Sequence, residues 1–179
     1  FLLSTSIKTE IIDEIRICAL RVSFKEDSLQ STTGDGSFLK ENLGIDCGAY
    51  TIDPPPHDKS YFQSQLIAVN NYFRSVSYGN FGINLNESTV YPIGKDDSFI
   101  LPNKMNYYNP YDSTEVQEKL ITDLFYDALS IADSNGINFE NYDLIVVFHA
   151  GIGQDFSLPF LDPTPEDIPS TYIDQKMIE

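Results

Sequence analysis

The stretch that decides the fold is EIRICALRVSF, residues 14–24. Its apolar side chains fall on both faces of an extended chain, so it predicts a strand covered on both sides. The segment YDLIVVFH, residues 142–149, is also apolar on both faces and predicts a second, central strand. Residues 81–85 alternate between apolar and polar and predict a half-buried strand, and residues 90–93 predict another one at an edge or end, where Pro92 is tolerated.

Two amphipathic helices separate these strands in the sequence. Asp58 is the predicted N-cap of the first helix and Gly79 its C-terminal stop, and the second helix begins near Ser113. Apolar residues at spacings of three and four mark the predicted buried stripes: Phe62, Leu66, Val69, Phe73 and Val76, then Val116, Leu120, Leu124, Ala128 and Ile131. The order strand, helix, strand, helix, strand predicts an α/β (α+β) fold, a sheet flanked by two long helices.

Residues 1–179 are predicted to form a single domain or subdomain. Its sheet-and-helix core spans residues 14–149, and residues 150–179 form an irregular, acidic, proline-containing tail. The first residue is Phe1, not Met, and we expect the chain to be a mature or excised piece of a longer protein.

The charge balance restricts the classes of partner. The chain has 27 acidic and 11 basic residues, for a net charge of -16. A negative field repels phosphate backbones and anionic membrane surfaces, so we expect neither nucleic acid nor a membrane as a partner. The longest strongly apolar run, residues 144–148, is far shorter than the roughly 20 residues that span a bilayer.

Two features of the sequence allow alternative interpretations. Cys18 lies within an apolar strand pattern, which favours a buried free thiol, although a disulfide with Cys47 is the alternative in an oxidising compartment. The loop TGDGS, residues 33–37, resembles part of a calcium loop but lacks the ligand spacing of an EF-hand, so a plain turn is the favoured interpretation.

The residue types needed for a complete catalytic site are missing. Catalytic zinc takes three protein ligands, whereas the chain has only His57 and His149 and no HExxH motif. There is no G-x-S-x-G elbow, and Phe156 replaces the third glycine of a dinucleotide-binding loop. We therefore predict no catalytic residue and no metal ligand in this chain.

The most distinctive polar stretch is HAGIGQD, residues 149–155, at the carboxyl end of the last predicted strand. Open α/β sheets place binding sites at that end of their strands. The substrate-cleft candidates are His149, Gly151, Gly153, Gln154 and Asp155. The alternative is a tight turn that contains a histidine with satisfied hydrogen bonds.

An ordered set of motifs resembles the front part of M6-type metallopeptidases, the immune inhibitor A-like zinc proteases. The motifs are TGDGSF at 33–38, PHDKSYF at 56–62, YFRSVSYG at 72–79, MNYY at 105–108, FENYD at 139–143, FHAGIGQD at 148–155 and DIPSTY at 167–172. The resemblance covers most of the chain, and the order and spacing of the motifs are more specific than any one of them.

The resemblance implies a secreted, zincin-like N-terminal subdomain with a mixed twisted sheet and two long helices. In such enzymes a later helix carries HExxH, and zinc with a glutamate activates water for peptide-bond hydrolysis. This chain stops before that helix, so the implied partners are the C-terminal half of the same catalytic domain and a peptide or protein substrate. We expect the chain alone to be inactive, with an exposed apolar patch that the missing half would cover.

The rival interpretation is a non-catalytic extracellular binding module, stabilised by calcium, with the same fold. A degenerate homologue that has lost catalysis is a third. An HExxH motif soon after Glu179 in the longer sequence would support the protease.

Overall fold

The central strand of the fold is β2, Ile17–Ser23, in which all seven residues are buried. The computed structural model describes residues 13–40, 54–110, 112–154 and 163–178. The other strands are β1 (Asp13–Ile15), β3 (Phe81–Ile83), β4 (Thr89–Tyr91), β5 (Phe99–Ile100) and β6 (Leu144–His149). The helices are α1 (Lys59–Val76), α2 (Met105–Tyr108), α3 (Thr114–Ser134) and α4 (Gln175–Ile178), with a 3-10 turn at Phe139–Asn141. The predicted α/β class with two long helices is confirmed.

Every strand pairing among the described residues is parallel. β4 and β5 pair with successive parts of β2 on one edge, and β6 pairs with Ile17 to Val22 on the other. β1 pairs with β3 in a separate two-stranded sheet, and only Arg16 separates β1 from β2. The resemblance implied a mixed sheet, and no antiparallel pair occurs in the described ranges.

The first helix begins where the sequence predicts. The Asp58 carboxylate accepts a hydrogen bond from the Tyr61 backbone N–H at 3.0 Å and so caps the helix. Its predicted stripe is wrong at two positions, because Val69 and Val76 are 42% and 55% exposed. Asn70 is buried instead, and its side-chain oxygen accepts a hydrogen bond from the Ile83 N–H at 2.8 Å.

The second long helix, α3, follows Ser113 and is buried along one side. Leu124 and Ala128 are buried as predicted, whereas Ile121 and Ala132 take the buried positions expected for Leu120 and Ile131. The stripe is therefore displaced by one residue at both ends of the helix.

The connection at residues 95–110 is more ordered than its polar composition indicates, because it contains β5 and α2. Met105 and Tyr108 of α2 are buried. The Tyr108 hydroxyl donates to Asp127 Oδ2 of α3 at 2.7 Å, which ties the connection to the long helix.

The last strand is not central as predicted. Within the described part of the chain β6 pairs only with β2, and no described strand lies along its other edge, which we call the open edge. Leu144 is 41% exposed, and the rest of the strand is only partly buried. The hydrophobic pattern of a strand indicates which of its two faces are covered by side chains. It does not indicate whether a neighbouring strand pairs with each of its edges. No helix in the described ranges has the length and apolar character needed to cross a membrane.

A buried arginine lies in the middle of the sheet. Arg21 of β2 is 1% exposed. Its guanidinium donates to the backbone carbonyls of Pro92 at 2.8 Å, Gly94 at 2.7 Å and Lys95 at 2.9 Å. Burial lowers the pKa of Arg21, and the nearby carboxylates, Asp97 foremost, oppose that shift. The side chain therefore fixes the loop that follows β4 on the edge of the sheet.

An ion pair lies at one end of the β2–β6 pairing, where both strands begin. The Arg16 guanidinium donates to both carboxylate oxygens of Asp143, at 3.0 and 2.9 Å, and the Arg16 N–H donates to Oδ2 at 2.8 Å. These hydrogen bonds, rather than the charge of Arg16 alone, lower the pKa of Asp143 to about 2.

This ion pair predicts a specific loss of stability in acid. Because the folded-state pKa of Asp143 lies below its ordinary value of 3.8, its contribution is present above about pH 4 and is lost as the pH falls towards 2. We expect wild type to exceed Asp143→Asn in free energy of unfolding at pH 7, with the difference vanishing near pH 2. Urea unfolding at several pH values measures it. In an Arg16→Met background only the backbone N–H of residue 16 still donates to Asp143, so the Asp143→Asn difference should vary much less across this window; unchanged pH dependence there would contradict the assignment.

Candidate functional site

A groove lies beside β6 in the described part of the protein. Its volume is about 770 Å³. The strand β6, residues Ile121, Leu124 and Phe125 of α3, and residues 168–173 line it. We call residues 168–173 the strap.

Backbone polarity along β6 shows which groups face the groove. The backbone N–H of Leu144 donates to the Arg16 carbonyl at 3.2 Å, and that of Ala150 donates to the Val22 carbonyl at 3.0 Å. Both groups therefore point towards β2. Because the hydrogen-bonding direction alternates along a strand, Ile145 and Val147 direct their N–H and C=O groups to the open edge. No other strand of the described chain pairs with that edge.

The side chains of β6 also alternate between two helices. The ring of Phe148 lies 4.8 Å from that of Phe62, which places the even-numbered side chains towards α1. Ile145 and Val147 therefore project to the opposite face, where Leu124 of α3 also lines the groove. The floor of the groove is thus apolar, while its edge carries backbone donors and acceptors.

The strap is held at its start by a buried carboxylate. Asp167 is 2% exposed, and its two oxygens accept from the Thr33 N–H and hydroxyl, each at 2.6 Å. Asn109 Nδ2 donates to the Asp167 carbonyl at 2.6 Å, and the Gln154 N–H donates to the Ile168 carbonyl at 3.1 Å. These contacts fix the outer wall of the groove to the loops at the carboxyl end of the sheet.

The structure brings several of the predicted site residues to this groove. His149 and Gly153 line it at the carboxyl end of β6, as predicted for a site at that end of the sheet. The His149 Nδ1 atom lies 2.9 Å from the Ala150 carbonyl oxygen. Gln154 takes part through its backbone bond to the strap. Asp155 lies outside the described residues.

Gly151 also lines the groove, but its environment gives it a structural reason to be glycine. Its φ is +92°, and a Cβ atom there would lie 2.5 Å from Met105 Cε. Met105 is 1% exposed and has little freedom to move away. The left-handed backbone and the close approach of Met105 are both structural reasons for glycine at this position.

The described residues contain no cluster suited to a metal. No three His, Cys, Asp or Glu side chains in these ranges are grouped so that they could hold an ion. His57 lies just before α1, and its ring centroid is 4.9 Å from that of Tyr61. The backbone N–H of His57 donates to the Leu39 carbonyl.

The loop at residues 33–37 is a turn stabilised by its own side chains. Asp35 Oδ1 accepts from the Ser37 N–H at 2.9 Å and from the Ser37 hydroxyl at 2.5 Å. These bonds lower the pKa of Asp35. Cys18 is fully buried in β2, and Cys47 lies outside the described residues, so their pairing stays a prediction.

Sequence reasoning missed the strap and the open edge. Thr33 and Asp167 belong to separate sequence motifs. They are 134 residues apart, so the sequence does not indicate that they are in contact. Ile145 and Val147 were predicted as core residues of a central strand. Comparisons with protein-family models, with curated proteins and with solved structures give no match to this chain.

Proposed function

We propose that this chain is the N-terminal scaffold of a secreted, M6-like zinc metallopeptidase catalytic domain, which is catalytically incomplete alone. The observation that carries the proposal is the open edge of β6. A strand that is apolar on both faces and only partly covered is what a sheet presents where further structure packs against it. The resemblance of the ordered motifs to M6-type enzymes supports the C-terminal half of the same domain as that further structure.

The residues of this chain would form a wall of the substrate cleft. His149 and Gly153 line the groove where β6 ends, so a peptide held in the groove would meet them, and the neighbouring Gln154 is bonded to the strap through its backbone. The zinc ion, bound by the other half, would supply the Lewis acid that polarises the scissile carbonyl. In this proposal the residues of this chain would bind and orient the substrate, and the other half would activate the water.

A non-catalytic extracellular binding module is the second candidate. One observation favours it: the groove already has a strand, a helix and a fixed strap as walls, all from this chain. Such a groove binds an extended peptide without needing a second half. Calcium stabilisation belongs to this candidate as well.

Zinc binding and peptidase activity test the first proposal. We expect the isolated chain to bind no stoichiometric zinc in dialysis with metal analysis and to cleave no peptide. A longer chain that includes the expected HExxH helix should bind one zinc and cleave peptides, and replacing the glutamate of that motif should abolish cleavage. A longer natural sequence without HExxH would reject the protease and favour the binding module.

The cleft residues are tested in that longer chain. Gln154→Ala keeps the backbone N–H that bonds to the strap, so we expect it to fold normally and to lower kcat/KM by reducing substrate positioning. Lys119→Ala, on an exposed side chain of α3, is the matched control and should leave cleavage unchanged. If Gln154→Ala and Gly153→Ala each cleave peptides normally, these two residues do not contribute to the substrate cleft.

A further inference from the structure

A buried carboxylate without a basic partner lies beside the candidate site. Asp167 is 2% exposed, and no ion pair between described residues includes it. Its oxygens are bound instead by two neutral donors of one residue, the N–H and the hydroxyl of Thr33, each at 2.6 Å. Burying a negative charge in this way costs free energy, because no opposite charge offsets the loss of water. Asparagine would fill the same volume and could pair with both groups of Thr33 without that cost.

The contacts of Asp167 connect three segments at the carboxyl end of the sheet. Its side chain binds Thr33, which lies in the loop after β2. The carbonyl of the next residue, Ile168, accepts from the Gln154 N–H in the loop after β6 at 3.1 Å. Thr33 also lies against this second loop, because its carbonyl oxygen would be 3.5 Å from a Cβ atom on Gly151. One carboxylate thus fixes the strap relative to the loop after β6.

The middle of the strap depends on this attachment. No described residue forms a hydrogen bond with Thr171, Tyr172 or Ile173, and Tyr172 is 78% exposed. The strap is fixed again only at α4, where the Met177 N–H donates to the Asp174 side chain at 3.0 Å. The position of the strap is therefore set at its two ends, and the end beside the candidate site is held by Asp167.

We propose that Asp167 is a positioning residue of the candidate site. Its charge strengthens the two bonds to Thr33, since hydrogen bonds to an ionised acceptor are about twice as strong as neutral ones. It thereby holds the strap and the loop after β6 in one arrangement before a peptide arrives, and a site that needs no ordering binds more tightly. This inference rests on the proposed function, in which His149 and Gly153 line the substrate cleft, and it adds what sets the affinity of that cleft.

Hydrogen exchange of the isolated chain, followed by NMR, tests the positioning without zinc or cleavage. Asp167→Asn keeps the volume and can still pair with Thr33, so we expect a urea unfolding midpoint close to that of wild type. Exchange at the Gln154 N–H should nevertheless be at least about threefold faster, because weaker bonds let the strap open more often. The Ala150 N–H, which donates to Val22 of β2, should exchange at the wild-type rate.

Ser88→Ala is the matched control, at the opposite end of the sheet. The Ser88 hydroxyl accepts from the Ile17 N–H at 2.9 Å and donates to the Asn84 carbonyl at 2.7 Å. Its removal should lower the urea midpoint and leave exchange at Gln154 unchanged. Asp167→Ala should also lower the midpoint, but it should raise exchange at Gln154 about tenfold or more. The comparison separates positioning from a general loss of stability.

The longer chain with the HExxH helix gives the functional readout. Loss of an interaction that positions the bound substrate raises KM, whereas the zinc and the water of the other half determine kcat. We expect Asp167→Asn to raise KM about threefold or more and to leave kcat within about twofold of wild type. If the longer chain cleaves no peptide, the proposed function fails, and exchange at Gln154 still decides whether Asp167 positions the loop.

Three outcomes would overturn the inference. Wild-type exchange at Gln154 in folded Asp167→Asn would show that the carboxylate does not hold the loop. Exchange that is faster to the same extent at Gln154 and Ala150 would show a general loss of stability. In an active longer chain, an unchanged KM for Asp167→Asn would show that the arrangement does not set the affinity for the peptide.

Discussion

Replacing Arg21 by alanine should destabilise the protein by about 3–5 kcal/mol, because it removes charge-assisted hydrogen bonds and truncates a large buried side chain. The change leaves the carbonyls of Pro92, Gly94 and Lys95 buried without their donor and opens a cavity beside β2. Urea unfolding followed by circular dichroism measures the loss as a lower midpoint with a similar slope.

Two further variants separate packing from hydrogen bonding at Arg21. Arg21→Met fills most of the volume but donates nothing, so we expect it to recover only a minor part of the loss. Arg21→Lys keeps the charge but lacks the fork of donors that reaches three carbonyls, so it should fall between wild type and Arg21→Met. Lys119→Ala, which removes an exposed cation, should have almost no effect. A fully stable Arg21→Met protein would show that the loop carbonyls do not need the guanidinium.

The second large effect is expected at Gly151. Gly151→Ala should cost about 2–4 kcal/mol, because it adds the strain of a left-handed backbone to a steric clash with Met105. Gly34→Ala is the matched control, since Gly34 has φ of +77° and a Cβ there would touch nothing within 4 Å. It should cost only the backbone part, about 1–2 kcal/mol.

A double-mutant cycle decides between the structural and the ligand-binding explanation of Gly151. If the clash with Met105 causes the loss, Gly151→Ala should be less destabilising in a Met105→Ala background than in wild type. Additive effects of the two changes would contradict the packing explanation. The glycine would then need another reason, such as close approach of a ligand to its backbone.

Local rules predicted the elements better than the relations between them. The N-cap at Asp58 and the start of α3 after Ser113 follow from short-range chemistry that a few residues contain. Asn70 shows the limit of such rules: it is buried because its side chain caps the Ile83 N–H, a contact across 13 residues. Periodicity instead favoured Val69, which has the right spacing but is 42% exposed.

The candidate site was predictable only in part, for a similar reason. His149 and Gly153 could be placed at the carboxyl end of a strand, because topology in α/β sheets determines where strand ends lie. The strap could not, since its attachment depends on Asp167 meeting Thr33 across 134 residues. The open edge of β6 was also hidden, because it concerns backbone groups whereas the sequence pattern describes side chains.

The order of strands around β2 has a consequence for how the chain folds. β2 occupies residues 17–23, yet its three partners begin at residues 89, 99 and 144. During synthesis this very apolar strand emerges long before the segments that pair with it, and closing such long loops is entropically costly. We expect slow folding dominated by non-local contacts, with β2 the segment most exposed to aggregation until residue 149 has been made.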